Sequence, residues 1–179
     1  IIVGPGLGLR FDPGPSNADY ASGDNELPVQ RALVDHLRAG SVFYDIGANV
    51  GFLTVIAARL VGPQGTVYAF EPVPSNAAYV RLNALANRFA HIQVIEKAVS
   101  NRCGTGELNL AKYSGGAALA LAGVEPPRDA DGTLQVDIVT ADGGEFYSKP
   151  TLSNALAANK TPAAIPLNTP EQMAAQLNA

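Results

Sequence analysis

The sequence predicts an α/β fold built on a parallel sheet. Three short, β-rich apolar runs, at 42–46, 66–70 and 92–95, alternate with segments of helical periodicity. Strand, helix, strand at this spacing calls for right-handed crossovers and parallel strands. The first run also ends in a glycine-rich loop, Gly47 to Gly51, that leads straight into a helix. Glycines at such a turn allow positive φ and close approach of the backbone to a ligand.

Each element follows from local pattern. Residues 1–22 are rich in Gly and Pro, as in Gly4-Pro5-Gly6 and Asp12-Pro13-Gly14-Pro15, which mark turns between short extended pieces. Glu26 to Leu37 reads as a helix capped by Asp24 or Asn25, with Pro28 in its first turn and Leu27, Val29, Leu33, Val34 and Leu37 facing inward. Val42-Phe43-Tyr44-Asp45-Ile46 is the first strand, and Phe52 to Leu60 the helix stopped by Gly62-Pro63. Thr66 to Phe70 is the second strand. The first two strands are nearly all apolar, as expected for strands covered on both faces. Ser75 to Asn87 follows as a helix, with Ser75 as its cap and Tyr79, Leu82, Leu85 and Ala86 inward. Ile92 to Ile95 is the third strand. Beyond Ser100 the alternation in 104–110 and 133–140 predicts a hairpin-like excursion. The segment 143–179 is dominated by Ala, Asn, Pro and Thr, with helix-like runs at 152–159 and 171–177.

Bulk properties narrow the function classes. The chain has 179 residues, one domain's worth. Its net charge of −4 offers no general attraction for nucleic acid. Cys103 is the one cysteine, so no intrachain disulfide can form, and His36 and His91 lack metal-ligand spacing. A metal site is not expected. No apolar run approaches the ~18 residues of a membrane span, and no signal-peptide pattern is visible. The expectation is a soluble, cytoplasmic protein without membrane or nucleic-acid partners.

The chemistry-bearing segment is Asp45-Ile46-Gly47-Ala48-Asn49-Val50-Gly51-Phe52. A dinucleotide loop would read G-x-G-x-x-G and set a pyrophosphate on the helix N-terminus. Here the spelling is D-x-G-x-x-x-G. An acid at the strand end repels a pyrophosphate and suits a ligand carrying positive charge. S-adenosylmethionine, with an ammonium, a sulfonium and no phosphate, is such a ligand. Glu71, at the end of the second strand, lies about twenty residues past Gly51, the offset at which an acid meets ribose hydroxyls. Pro72, Val73 and Pro74 offer a rigid apolar wall for an adenine ring. Glu96-Lys97-Ala98 ends the third strand and would border the adenine edge. Taken singly, each is equally a helix cap, a turn glycine or a solvated charge. Their combination carries the reading.

These residues resemble the FkbM family of methyltransferases. The likeness rests on Val42 to Phe52, on Phe70-Glu71-Pro72-Val73-Pro74 and on Glu96-Lys97-Ala98-Val99-Ser100. Gly23-Asp24-Asn25-Glu26 is similar to the family's entry segment, and Val139-Thr140-Ala141-Asp142 to its Thr-Leu-Asp step. The resemblance runs over about residues 6–142. It implies a Rossmann-like class I methyltransferase fold that is incomplete: three parallel strands with their helices, plus the hairpin excursion. It implies S-adenosylmethionine as cofactor, held by Glu26, Asp45, Gly47, Asn49, Gly51, Phe52, Glu71, Pro72, Lys97 and Ala98. It also implies O-methylation of a sugar or secondary-metabolite hydroxyl on a small-molecule acceptor. No catalytic residue is assigned; Asp142 and Glu26 are candidates for a general base.

The chain departs from the family after Asp142, where a strand reading like Lys-Ile-Asp-Val-Glu-Gly-Ala-Glu is expected and none occurs. The expected division is therefore 1–142, the N-terminal part of a methyltransferase domain, and 143–179, an atypical tail. The strand order would be 3-2-1, leaving the first strand with an open edge and a route to self-association. Two other readings stand beside the enzyme: a truncated, non-catalytic cofactor-binding remnant, and an NAD-dependent oxidoreductase, against which the D-x-G-x-x-x-G spelling argues.

Overall fold

The computed structural model describes residues 1–100, 103–112, 116–120 and 130–140. The chain forms two compact units, the first chiefly Ile1–Glu96 and the second starting at Lys97.

In the first unit, β1 (Val42–Ile46), β2 (Thr66–Phe70) and β3 (Ile92–Ile95) form a parallel sheet in the order β1-β2-β3. The register sets Asp45 opposite Ala69 and Ala69 opposite Val94. The connections are helical, α2 (Phe52–Val61) between β1 and β2 and α3 (Pro74–Ala86) between β2 and β3. The predicted α/β, Rossmann-like arrangement is the one observed. Helix α2 is the hub of the core: Val55, Ile56, Ala57, Ala58 and Val61 are fully buried and cluster with Val67 of β2 and Leu9. An almost uninterrupted apolar stretch suits a helix packed on most of its sides. Gly62, at φ 66°, ends it.

Period-two alternation exposes one side of the sheet. Asp45, Val67 and Ala69 are buried, whereas Val42, Tyr44 and Ile46 are 55%, 55% and 41% exposed. Strand β1 is thus not covered on both faces, as its apolar run suggested. Its composition reflects an apolar face that these residues leave open. Among the described residues β1 pairs with β2 alone.

Helix α1 (Leu27–His36) lies where expected, but its start differs. Its N-cap is Glu26, in the left-handed region at φ 51°, and neither Asp24 nor Asn25 caps it. Its buried residues are Gln30 and Leu33, while Leu27 and Val34 are exposed. The Gln30 amide is drawn inward because its Nε2 donates to the carbonyls of Gly23 and Asn25, at 2.8 and 2.6 Å. Helix α3 begins at Pro74 with Val73 as N-cap, so Ser75 lies inside the first turn and caps nothing. Its inward face carries Asn76, Ala77, Val80, Asn83 and Ala84, whereas Leu82 and Leu85 are exposed.

The N-terminal segment adds a 3-10 turn, Ala18–Ala21, capped by the Asn17 side chain, which accepts from Asp19 N. Ahead of it, residues 10–12 run along α3. Asn83 Oδ1 accepts from Asp12 N at 2.7 Å, and Asn87 Oδ1 from Arg10 N at 2.9 Å. Amides four residues apart on α3 thereby take the place of a neighbouring strand.

The second unit is a four-stranded sheet in the order β4-β7-β5-β6, from β4 (Ala98–Val99), β5 (Gly104–Ala111), β6 (Ala118–Leu119) and β7 (Ala130–Val139). β5 and β7 are antiparallel, with Gly104 opposite Ile138 and an irregularity between Asn109 and Ala111. The predicted hairpin is present, and β4 and β6 extend it. Leu108, Val136 and Ile138 form its buried apolar side. Asp142 and the runs at 152–159 and 171–177 lie outside the described residues. No helix among the described residues is long and apolar enough to cross a membrane.

Candidate functional site

The C-terminal ends of β1 and β2 meet at the glycine loop. Gly47 N and Ala48 N both donate to the carbonyl of Phe70, the last residue of β2, at 2.9 and 3.0 Å. Asn49 N donates to Glu71 Oε2 at 2.8 Å. The loop is thus folded back over the end of β2. Three loop residues have positive φ: Gly47 at 74°, Asn49 at 52° and Gly51 at 89°. Asparagine tolerates this region better than most side chains. Gly51 N closes the turn on Ala48 O at 2.8 Å, and α2 starts at Phe52.

Gly51 serves packing as well as the turn. A Cβ there would meet Val80 Cγ1 at 3.2 Å and Val80 Cα at 3.3 Å, on α3, and the residue sits at φ 89°. This glycine allows close approach of α3.

Two buried carboxylates flank the loop. Asp45 is 4% exposed, and its Oδ2 accepts from Thr54 Oγ1 at 2.6 Å. Asp45 does not cap α2; it is anchored beneath the first turn by the hydroxyl there. Glu71 is 5% exposed. Besides Asn49 N, it accepts at Oε1 from Val73 N at 3.0 Å and from Asn76 Nδ2 at 3.5 Å. Pro72, half-buried, stands between Glu71 and Val73.

The N-terminal segment meets the same loop. Asn49 Nδ2 donates to Ser16 Oγ at 3.0 Å. Tyr20 stacks on Phe52, ring centroids 4.9 Å apart and planes 22° apart, and Phe11 meets both rings edge-on. The Tyr20 phenol is pushed above 10.0, chiefly by burial and then by the Glu26 carboxylate, with a hydrogen bond to Asn49 acting the other way.

Asp45, Gly47, Asn49, Gly51, Phe52, Glu71 and Pro72 therefore gather at one end of the sheet, whereas Glu26 is exposed at the start of α1, where its charge adds to the burial that raises the pKa of Tyr20. Lys97 and Ala98 belong to the second unit. There Lys97 Nζ lies 3.6 Å from Asp137 Oδ2, and Ala98 pairs with Ile138. Their neighbour Glu96 ends the first unit, paired with Arg81 of α3 at 2.6 Å. Sequence reasoning did not single out Thr54, Asn76, Asn83 or Tyr20. Thr54 was open to detection as a hydroxyl three residues past Gly51; Tyr20 stood in a Gly- and Pro-rich stretch with no periodicity. His91 is structural, its Nε2 2.9 Å from the carbonyl of Ala58. Among the described residues no cluster of His, Cys, Asp or Glu could hold a metal ion.

The first unit is a Rossmann-like α/β arrangement with an acid-bearing glycine loop after β1 and a second acid after β2. The chain belongs to the family defined by the Methyltransferase FkbM domain, which matches residues 45–151. It is 36% identical over 104 residues to the 31-O-demethyl-FK506 methyltransferase FkbM of Streptomyces tacrolimicus, covering 54% of this chain and 39% of that protein. It spans less than half the length of that relative. A shorter stretch of 40 residues is 52% identical to a Rubredoxin-NAD(+) reductase of Acinetobacter baylyi, covering 22% of this chain and 10% of that one. Among solved structures it is similar to a SAM-dependent methyltransferase from Aquifex aeolicus, with TM-score 0.39 and 20% identity over 49% of this chain and 48% of that one.

Proposed function

We propose that the chain is the cofactor-binding part of an S-adenosylmethionine-dependent O-methyltransferase acting on a hydroxyl of a sugar or secondary metabolite. The observation that carries this reading is the glycine loop held on Glu71, with a second carboxylate, Asp45, at the adjacent strand end. The loop residues 45–52 and the segment 71–76 contain no Lys or Arg. That donor set suits an unphosphorylated, positively charged nucleoside and opposes a pyrophosphate. Family membership and the relative's activity on 31-O-demethyl-FK506 support the same class of chemistry.

In this reading Glu71 takes the ribose hydroxyls, Pro72 flanks the adenine, and Gly47, Asn49, Gly51 and Phe52 line the turn. Asp45 and Glu26 supply negative charge toward the cation. The cofactor, when bound, supplies an activated methyl group on its sulfonium. What remains for the protein is alignment of the acceptor and exclusion of water. Residues 1–142 would form the cofactor-binding part and 143–179 a tail outside it. A cytoplasmic location and a small-molecule acceptor, with no nucleic-acid or membrane partner, complete the reading.

One observation favours a second reading, a non-catalytic remnant: the exposed apolar face of Val42, Tyr44 and Ile46 on β1. Calorimetric titration with S-adenosylmethionine and, in parallel, NAD tests cofactor class. Binding of NAD without S-adenosylmethionine would sink both readings. Radiolabelled methyl transfer to a panel of glycosides then separates enzyme from remnant.

A further inference from the structure

A concave site lies at the other end of the first unit, away from the glycine loop. There the C-terminal ends of α2 and α3 meet the N-terminal ends of β2 and β3. The cleft is open and has a volume of about 440 Å³, within the roughly 300–1,000 Å³ of small-molecule sites. Leu9 and Ala58, both buried, contribute apolar lining, joined by Pro63 and the half-buried Phe89. Phe89 meets His91 edge-on, ring centroids 5.5 Å apart, and His91 Nε2 is 2.9 Å from Ala58 O, so the ring pair has a set position.

The charged residues of the lining are Arg59 and Arg88, and no acid lines the cleft, in a chain whose net charge is −4. Cations at helix C-termini ordinarily serve the helix dipole. Here the last carbonyls are already engaged. Ala58 O accepts from Gly62 N at 3.1 Å, Ala84 O from Phe89 N and Leu85 O from Arg88 N, both at 3.0 Å. The last two bonds close α3 in a Schellman motif with Arg88 at its left-handed position, φ 58°. Glycine usually takes that position, because a Cβ is disfavoured there. An arginine lowers stability at this point and places a guanidinium at the cleft. Among the described residues neither Arg59 nor Arg88 pairs with a carboxylate. Arg59 Nη1 donates to the carbonyls of Pro5 and Leu7 at 3.3 and 2.6 Å, and a guanidinium has further N–H donors to give.

We propose that this cleft binds a small aryl carboxylate, its acid group on the two arginines and its ring against Phe89 and Pro63. A planar guanidinium matches a carboxylate through two parallel N–H···O bonds. One guanidinium without a carboxylate partner and one partly engaged suit a single negative charge better than the near two of a phosphate ester. The site lies at the opposite strand ends from Asp45 and Glu71, so it is separate from the proposed cofactor site and stands or falls independently of it.

Calorimetric titration with 1-naphthoate is the test, with 1-naphthamide as the ring without charge and acetate as the charge without a ring. 1-Naphthoate should bind, and both controls should be at least about tenfold weaker, the loss of a hydrogen bond to a charged group or of the ring's burial. Arg88→Gly should weaken 1-naphthoate about tenfold and yet raise the thermal midpoint, because glycine relieves the left-handed position. A merely structural arginine would give the second effect without the first. Tyr44→Lys, on the exposed sheet face, should leave the affinity unchanged. Equal binding of 1-naphthoate and 1-naphthamide, wild-type affinity in Arg88→Gly, a loss in Tyr44→Lys, or no binding of 1-naphthoate at millimolar concentration would each overturn the proposal. If Arg88→Gly fails to fold, Arg88→Gln makes the same affinity comparison.

Discussion

The backbone N–H of Asn49 donates to the Glu71 carboxylate across 2.8 Å, tying the loop after β1 to the end of β2. The same carboxylate accepts from Val73 N at 3.0 Å, at the entry to α3. One buried acid thus sets the shape of two loops that border the proposed cofactor site. Glu71→Ala should weaken S-adenosylmethionine by about 1–3 kcal/mol, the range for lost hydrogen bonds to a charged group. Calorimetric titration measures this directly. An unchanged affinity in a folded variant would take Glu71 out of the site.

Asn83 makes a second prediction, about stability. It is 1% exposed. Its Nδ2 donates to Val50 O at 2.9 Å and to Asp12 O at 3.0 Å, and its Oδ1 accepts from Asp12 N. It therefore links α3, the glycine loop and the N-terminal segment. Asn83→Ala should cost about 2–4 kcal/mol, because buried backbone groups lose their partners. Asn87→Ala removes similar bonds to Arg10 in an exposed setting and should cost less than about 1 kcal/mol. Urea denaturation of the two variants gives the comparison; equal losses would refute the role assigned to burial.

The same residue shows where the sequence stopped being readable. The three parallel strands, their order and the positions of their helices were legible, because apolar runs, glycine turns and crossover spacing are local signals. The face that α3 turns inward was not. Leu82 and Leu85 are exposed, while Asn76 and Asn83 are buried. Periodicity ranks side chains by their cost in an apolar medium, and a buried amide escapes that cost when backbone groups from distant segments meet it. Those partners, Asp12 and Val50 for Asn83, are set by tertiary structure. Glu26 is a similar case: the family resemblance singled it out, yet its left-handed backbone at φ 51° had no local signature. At the site, Asp45 and Glu71 were found by position at strand ends, but their protein partners, Thr54 and Asn49 N, became visible only in three dimensions.

Tyr20 gives a pH dependence with a defined sign. Burial first, and the Glu26 carboxylate second, raise its pKa above 10.0 in the folded chain. Below pH 10 the phenol is neutral in both states and contributes nothing differential. As pH rises through 10, the unfolded chain releases this proton more readily than the folded one. Stability therefore falls between the unfolded value and the raised folded value. Tyr20→Phe should lack this component, so its urea midpoint should drop less steeply above pH 10 than that of the wild type. Parallel curves for the two proteins would show that the phenol ionises as freely folded as unfolded.

The last prediction concerns the open side of the sheet. Val42, Tyr44 and Ile46 project from one face of β1 and are 55%, 55% and 41% exposed. Tyr44 stacks on Tyr68 of β2, centroids 5.2 Å apart, and lies 6.4 Å from Phe70, so the aromatic surface continues across the strands. A strand paired on one side that also carries an apolar face is a template for association. The first unit should therefore self-associate as concentration rises, seen as an increase in sedimentation coefficient. Tyr44→Lys and Ile46→Lys place charges on this face, and Tyr44→Lys should cost the more stability because it also gives up the ring contact with Tyr68, worth about 0.5–1.5 kcal/mol. Either should shift the protein toward monomer, the remedy that edge lysines supply in natural sheets. The alternative route to association, through the second unit, would leave sedimentation unchanged in both variants, and a wild type that stays monomeric throughout would exclude the face as a contact surface between copies.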